Sequence, residues 1–173
     1  MAWQSATTGL QSGFQPQSSK VTVRNAIIKK GIEPSFDSRY NGWLRVTHNW
    51  NQVCNAGISL GAMAVYDNYK DSADIVLNRA IRTLPLAMNV YNPDGVYPEG
   101  YGYWSYGTAF NVLFIDAYER FANTAYNLSD YDGFLKTSEY LMHMARPSSI
   151  AFNYSDNGAG LLLQEAQFWF AKR

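Results

Sequence analysis

Two stretches of this 173-residue chain gather side chains capable of chemistry. The first, Thr47-His48-Asn49-Trp50-Asn51-Gln52-Val53-Cys54-Asn55, sets an imidazole and several amides just ahead of and inside an apolar segment. At helical pitch Asn51 and Asn55 are one turn apart and project from the same side. Amides near a helix N-terminus can donate hydrogen bonds to a carboxylate, and the helix dipole strengthens that preference. A plainer account competes, in which Asn49 or Asn51 caps the helix and Asn55 bonds a loop carbonyl. The second stretch, from Asp94 to Gly107, carries Tyr97, Tyr101, Tyr103, Tyr106, Trp104 and Glu99 interleaved with glycines. Hydroxyls and ring faces on a loop held by helices suit a carbohydrate cleft, although Tyr-Gly segments also serve as packed structural loops. Glu99 alone is a weak candidate for glycoside hydrolysis, which ordinarily uses two carboxylates at a set separation. Its near neighbour Asp94 belongs to a turn-forming Pro-Asp-Gly.

The elements that must position these residues read as helices. A short helix from Ser19, which can cap it, carries Val23 and Ile27 and stops at Gly31 and Pro34; a strand competes there because of Val21, Thr22 and Val23. From Asn51 to Tyr69, Val53, Gly57, Leu60 and Ala64 form one apolar stripe and Cys54, Ile58, Gly61 and Val65 a second, which predicts a helix buried on most of its circumference. Leu77, Ile81, Leu84, Met88 and Tyr91 define an amphipathic helix that Pro85 should kink or divide. Asn92-Pro93-Asp94-Gly95 is a turn by chemistry, and the Tyr-Gly segment follows it as a loop. Another helix spans about Thr108 to Tyr126, with Phe110, Phe114, Ala117 and Phe121 on its stripe. Ser129 and Asp132 resemble a capping box for a helix bearing Phe134, Ser138, Leu141 and Ala145, closed by Arg146-Pro147. A last helix covers about Gly160 to Lys172. The sum is about six helices and no alternating strand run, an all-α class of antiparallel helix hairpins. Residues 1–19 form a polar, irregular arm and 20–173 the helical domain.

Composition narrows the partners. Fourteen Lys plus Arg offset fourteen Asp plus Glu, which leaves no surplus charge for a phosphate backbone, so nucleic acid is not expected. No apolar run is long enough to span a bilayer, so no membrane insertion is expected. One Cys, Cys54, and two His, His48 and His143, are too few for a multi-cysteine zinc site, and no metal or other cofactor is called for. Aromatic residues make up 16% of the chain, a supply of flat apolar faces with polar edges suited to cores, wet clefts and sugars alike. His143 fits a solvated helix face, and the Asn127 and Asn153 sequons matter only in a glycosylating host.

Taken together, Asn49 to Gly57, Pro93 to Gly107 and Phe152-Asn153-Tyr154-Ser155-Asp156 resemble, in order and approximate spacing, the heparinase II/III-like polysaccharide lyases. The resemblance covers roughly Val21 to Arg173 and rests on the first two motifs jointly. It implies part of an α/α toroid whose cleft binds acidic polysaccharide, followed in complete members by a large β-sheet domain, and an exported protein, periplasmic or secreted. The chain departs from that pattern: it ends at Arg173, its polar arm stands where earlier toroid helices belong, and residues 1–19 lack a secretory signal. The expectation is a fragment or shortened homologue, whose exposed half-toroid surface would favour association between copies.

The implied reaction is β-elimination, in which a base removes the C5 proton of a uronic acid and the 4-linked oxygen leaves. The uronate carboxylate must be neutralised for the enolate charge to develop. By resemblance Asn49, Asn51 and Asn55 supply that stabilisation and His48 is a base or a second donor. Tyr103 is the first choice for proton transfer, with Tyr101 and Tyr106 behind it. Trp50 and Trp104 stack on sugar or pack in the core, and Glu99 orders the loop or bonds a hydroxyl. The alternative is a catalytically inactive acidic-carbohydrate-binding or structural module.

Overall fold

Long stretches of apolar residues at helical spacing, separated by turn residues, give an all-α chain. The computed structural model describes residues 16–124, 127–148, 150–156, 158, 160 and 164–173. Its helices are α1 (Pro16–Ile27), α2 (Asn49–Ala64), α3 (Lys70–Met88), α4 (Tyr101–Ala122), α5 (Tyr140–Met144) and α6 (Glu165–Phe170). No strand forms among the described residues; two isolated bridges pair Ala145 with Ala151 and Ile150 with Gly160.

Helix α2 lies between α3 and α4. Asn51 in its first turn bonds Thr83 near the end of α3, while Tyr66 just beyond its last turn bonds Asp74 near the start of α3, so these two helices run antiparallel. Gly107 in early α4 abuts Asn49 and Gln52, and Tyr66 meets Phe121 of late α4 edge-on at 4.8 Å, so α2 and α4 run parallel. The amphipathic stripe of α3 behaves as its spacing predicts. Leu77, Ile81, Leu84, Met88 and the following Tyr91 are all buried, against Trp104, Phe114, Ile115 and Phe134. Each such side chain contributes about 1.5–3 kcal/mol by leaving water. A second, smaller cluster joins Ile32 to Ala62, Val65, Ala73 and Val76, with Ile27 and Ile28 packed against it.

Helix α2 reverses the expected orientation. Of the eight residues in its two apolar stripes only Val65, just past the helix end, is buried, and the inner face is Asn49, Asn51, Gln52, Asn55, Ala56, Ser59 and Ala62. The physical reason is that Thr83 of α3 and the Tyr91 and Tyr97 hydroxyls pair Asn51, Asn55 and Gln52, so most of the polar face keeps its bonds when desolvated, Asn49 Nδ2 and Ser59 Oγ being without a partner among the described residues. The helix also begins at Asn49 and ends at Ala64, short of Tyr69.

Other expectations shift as well. Ser19 lies inside α1 and caps nothing; residues 1–15 of the expected arm lie outside the described residues. Past Ile27 the chain continues through a π turn, Ile28–Ile32, and a 3-10 turn, Glu33–Phe36, that takes Pro34 near its start, where no amide hydrogen is needed. Pro85 does not divide α3, which runs on to Met88. The Tyr-Gly segment is helical from Tyr101 onward rather than a loop. On α4 the buried side is Tyr101, Trp104, Gly107, Thr108, Asn111, Val112, Phe114 and Ile115, so of the expected stripe only Phe114 is interior. No long helix follows Ser129. Two 3-10 turns, Leu128–Asp130 and Lys136–Glu139, precede the five residues of α5. Gly133 breaks the run at φ +78°, packed so tightly on the Tyr91 carbonyl that a Cβ there would collide. The last helix is confined to Glu165–Phe170, and residues 161–163 of its expected start lie outside the described residues.

Candidate functional site

Because α2 and α4 are parallel, their N-termini open at the same end of the molecule, and this end collects the chemically capable residues. His48 is the N-cap of α2. Its Nδ1 accepts the backbone N–H of Trp50 at 3.4 Å, so neither Asn49 nor Asn51 performs that task. With Nδ1 engaged in this way, Nε2 is the ring nitrogen that half-exposed His48 has left to meet a ligand. Trp50 is 63% exposed, and on α4 Tyr103 and Tyr106 are 36% and 48% exposed. Glu99, half-buried, sits in the segment that leads into α4.

The remaining sequence candidates are interior. Asn51 and Asn55 do share a side of α2, and Asn55 Nδ2 donates to Asn51 Oδ1 at 3.0 Å. Both are turned to α3: Asn51 Nδ2 donates to the Thr83 carbonyl at 3.2 Å and Asn55 Nδ2 to Thr83 Oγ1 at 3.1 Å. Neither has meaningful exposure, which corrects the expectation that they face a ligand. Asn49 is also buried, with its Nδ2 unpartnered among the described residues. Tyr101 and Trp104 stack on each other at 5.5 Å in the core, and Trp104 Nε1 donates to Thr137 Oγ1 at 2.8 Å. Packing, not sugar, occupies these two rings.

Behind the exposed groups runs a chain of polar contacts that the sequence reading missed. The Tyr97 hydroxyl lies 3.3 Å from Glu99 Oε2 and 3.4 Å from Gln52 Oε1, with one proton to share between them. Gln52 Nε2 donates to the Tyr91 hydroxyl at 2.8 Å, which in turn is 2.8 Å from Thr108 Oγ1. Gln52 thus ties α2 to α4 and to the 91–99 segment. Its closeness to Gly107, where a Cβ would strike Gln52 Oε1, explains why α4 carries a glycine there. Burial pushes the Tyr91 hydroxyl up to about 12 and the Tyr97 hydroxyl well above the ordinary tyrosine range, the latter helped by the charge of its neighbours. Both are held as neutral hydroxyls. Gln52 stood inside the first motif, but nothing in spacing distinguishes a buried amide from an exposed one.

Among the described residues no three His, Cys, Asp or Glu side chains gather in a metal-binding group, and no helix is long and apolar enough to cross a membrane. A scan against protein-family models found no match, and a search of curated proteins found none either.

Proposed function

We propose that this chain is the helical part of a polysaccharide lyase acting on uronic-acid-containing polymers by β-elimination, with the common end of α2 and α4 as its substrate surface. The observation that carries the reading is the convergence of two parallel helix starts bearing half-exposed His48 and exposed Trp50, Tyr103 and Tyr106. Consecutive long helices of alternating direction are also what an α/α toroid requires.

In this reading His48 Nε2–H, with the positive end of the α2 dipole behind it, bonds the uronate carboxylate and stabilises the charge that develops on it. Tyr103 takes the C5 proton on its phenolate oxygen and gives it to the departing 4-linked oxygen as that C–O bond breaks, since an exposed hydroxyl can reach a sugar and the interior ones cannot. Trp50 offers a ring face to a pyranose. Asn51, Asn55, Tyr101 and Trp104 hold the helix ends in place. Glu99 orients Tyr97 and through it the start of α4.

The test is incubation with alginate, chondroitin and heparan-type chains while recording the ultraviolet absorbance of the unsaturated product. The reading expects product from at least one polymer, abolished by Tyr103→Phe with the fold intact; no product from any of them contradicts it. A second reading, a binding module without turnover, is favoured by the commitment of the Asn51 and Asn55 amides to Thr83, which removes two candidate charge stabilisers. It expects calorimetric binding of the same polymers with no absorbance change.

A further inference from the structure

A cavity of about 250 Å³ lies behind the 94–96 turn, apart from the residues invoked above. Its wall is mostly carbon: Val96, Tyr140, Met144, Phe152 and Tyr154. Phe152 is 50% exposed and its ring is 6.1 Å from that of Tyr154, tilted by 43°. The Tyr140 hydroxyl donates to that of Tyr154 at 2.5 Å, and the Tyr154 hydroxyl donates to the Tyr97 carbonyl, which anchors both rings. The aromatic wall is therefore fixed before any ligand arrives.

Two carboxylates, Asp94 and Glu139, stand on the rim with Lys136 and His143. Lys136 Nζ donates to the Pro93 carbonyl at 3.0 Å, and Asp94 Oδ1 accepts the Val96 amide at 3.3 Å. Exposed Glu139 has no ion-pair or hydrogen-bond partner among the described residues. An unpaired carboxylate lining the same cavity as the anchored rings of Tyr140 and Tyr154 attracts one chemical class best. A sugar would find too few hydroxyl partners on a wall of carbon, and an anion would meet two carboxylates against the single ammonium of Lys136, which already donates to the Pro93 carbonyl.

We infer that this cavity binds a small organic cation, an ammonium with a compact apolar or aromatic body, held by ring faces, the Met144 thioether and Glu139. Ring quadrupoles attract a desolvated cation, and a nearby carboxylate adds to the pull.

The test uses the full chain with 13C-methyl-labelled methionine, titrated with benzyltrimethylammonium, benzyl alcohol and benzoate while the Met144 methyl resonance is followed. The expected result is a saturable shift with benzyltrimethylammonium, roughly three- to thirtyfold tighter than benzyl alcohol, and none with benzoate. Glu139→Gln, an exposed substitution that leaves packing intact, should weaken the cation several-fold and leave benzyl alcohol unchanged. Phe152→Ala should abolish the preference, with circular dichroism reporting an unchanged fold. Equal affinity for cation and alcohol, a preference for benzoate, or no saturable shift would overturn the inference. So would retention of full cation affinity in Glu139→Gln.

Discussion

Gln52 illustrates how one side chain can join three parts of a fold. Its amide accepts from Tyr97 and donates to Tyr91, and both groups are fully buried. Replacing it with Ala leaves two hydroxyls without that partner in a dry interior, which should cost about 2–3 kcal/mol. Urea unfolding measures this as a lowered midpoint at unchanged slope. A shift no larger than that of a surface substitution would remove Gln52 from its assigned place. Gly107→Ala tests the same contact from the other side. The added methyl must push Gln52 or part α2 from α4, at about 1–3 kcal/mol. Asn55→Ala belongs with these: it removes the bonds to Asn51 and Thr83 and should lower stability while leaving any affinity for uronate polymers unaltered. Altered affinity with unaltered stability would restore Asn55 to the substrate surface.

At the scale of elements, the turn before α4 is held by side chains far along the chain. Thr137 Oγ1 donates to the Gly95 carbonyl at 2.5 Å, and Tyr140 and Tyr154 both reach the Tyr97 carbonyl. These interactions need neutral tyrosines. Burial raises the hydroxyls of Tyr91, Tyr97 and Tyr140 above the value of 10.0 expected when unfolded. A raised native value means that the unfolded chain loses its protons first on the alkaline side. The stability these groups contribute is therefore complete below about pH 10. It declines as pH rises through the folded value, about 12 for Tyr91. Ultraviolet titration should accordingly detect a set of tyrosines that ionise only as helical circular dichroism is lost. Ionisation of all thirteen in one early step would contradict this. The elements differed in how much of themselves they declared in sequence. Helix α3 was readable because its apolar residues alone define its buried face. Helix α2 was misread in orientation because its inner amides depend on Thr83, Tyr91 and Tyr97, which no local pattern identifies. The start of α4 resembled a loop because glycines cost about 1 kcal/mol each within a helix, yet the approach of α2 requires one at position 107. The helix expected after Ser129 fails for a tertiary reason, the contact of Gly133 with the Tyr91 carbonyl. Of the candidate site, the sequence offers exposed Trp50, Tyr103 and Tyr106 together with buried Asn49, Asn51, Asn55, Tyr101 and Trp104, because residue type does not report exposure, and it offers no sign of the Gln52 connection.

For the whole molecule, cohesion comes from the core around Trp104, Phe114 and Phe134 together with the polar seam on α2, rather than from surface charge. The ion pairs Lys29–Glu33, Arg39–Asp37, Lys70–Asp74 and Arg120–Asp116 are all substantially solvated on the basic side. Such pairs each contribute about 0–1 kcal/mol and are screened by salt. Thermal unfolding in increasing sodium chloride should thus move little, and a steep loss of stability would reassign the cohesion to charge. The molecule's proposed task depends instead on its one end where α2 and α4 both begin. The most direct measurement is calorimetric titration with a uronic-acid oligosaccharide, comparing the unaltered chain with Trp50→Ala and with Phe168→Ala, an exposed ring on α6. The account predicts saturable binding that Trp50→Ala eliminates and Phe168→Ala preserves; absence of binding, or binding indifferent to Trp50, would contradict it.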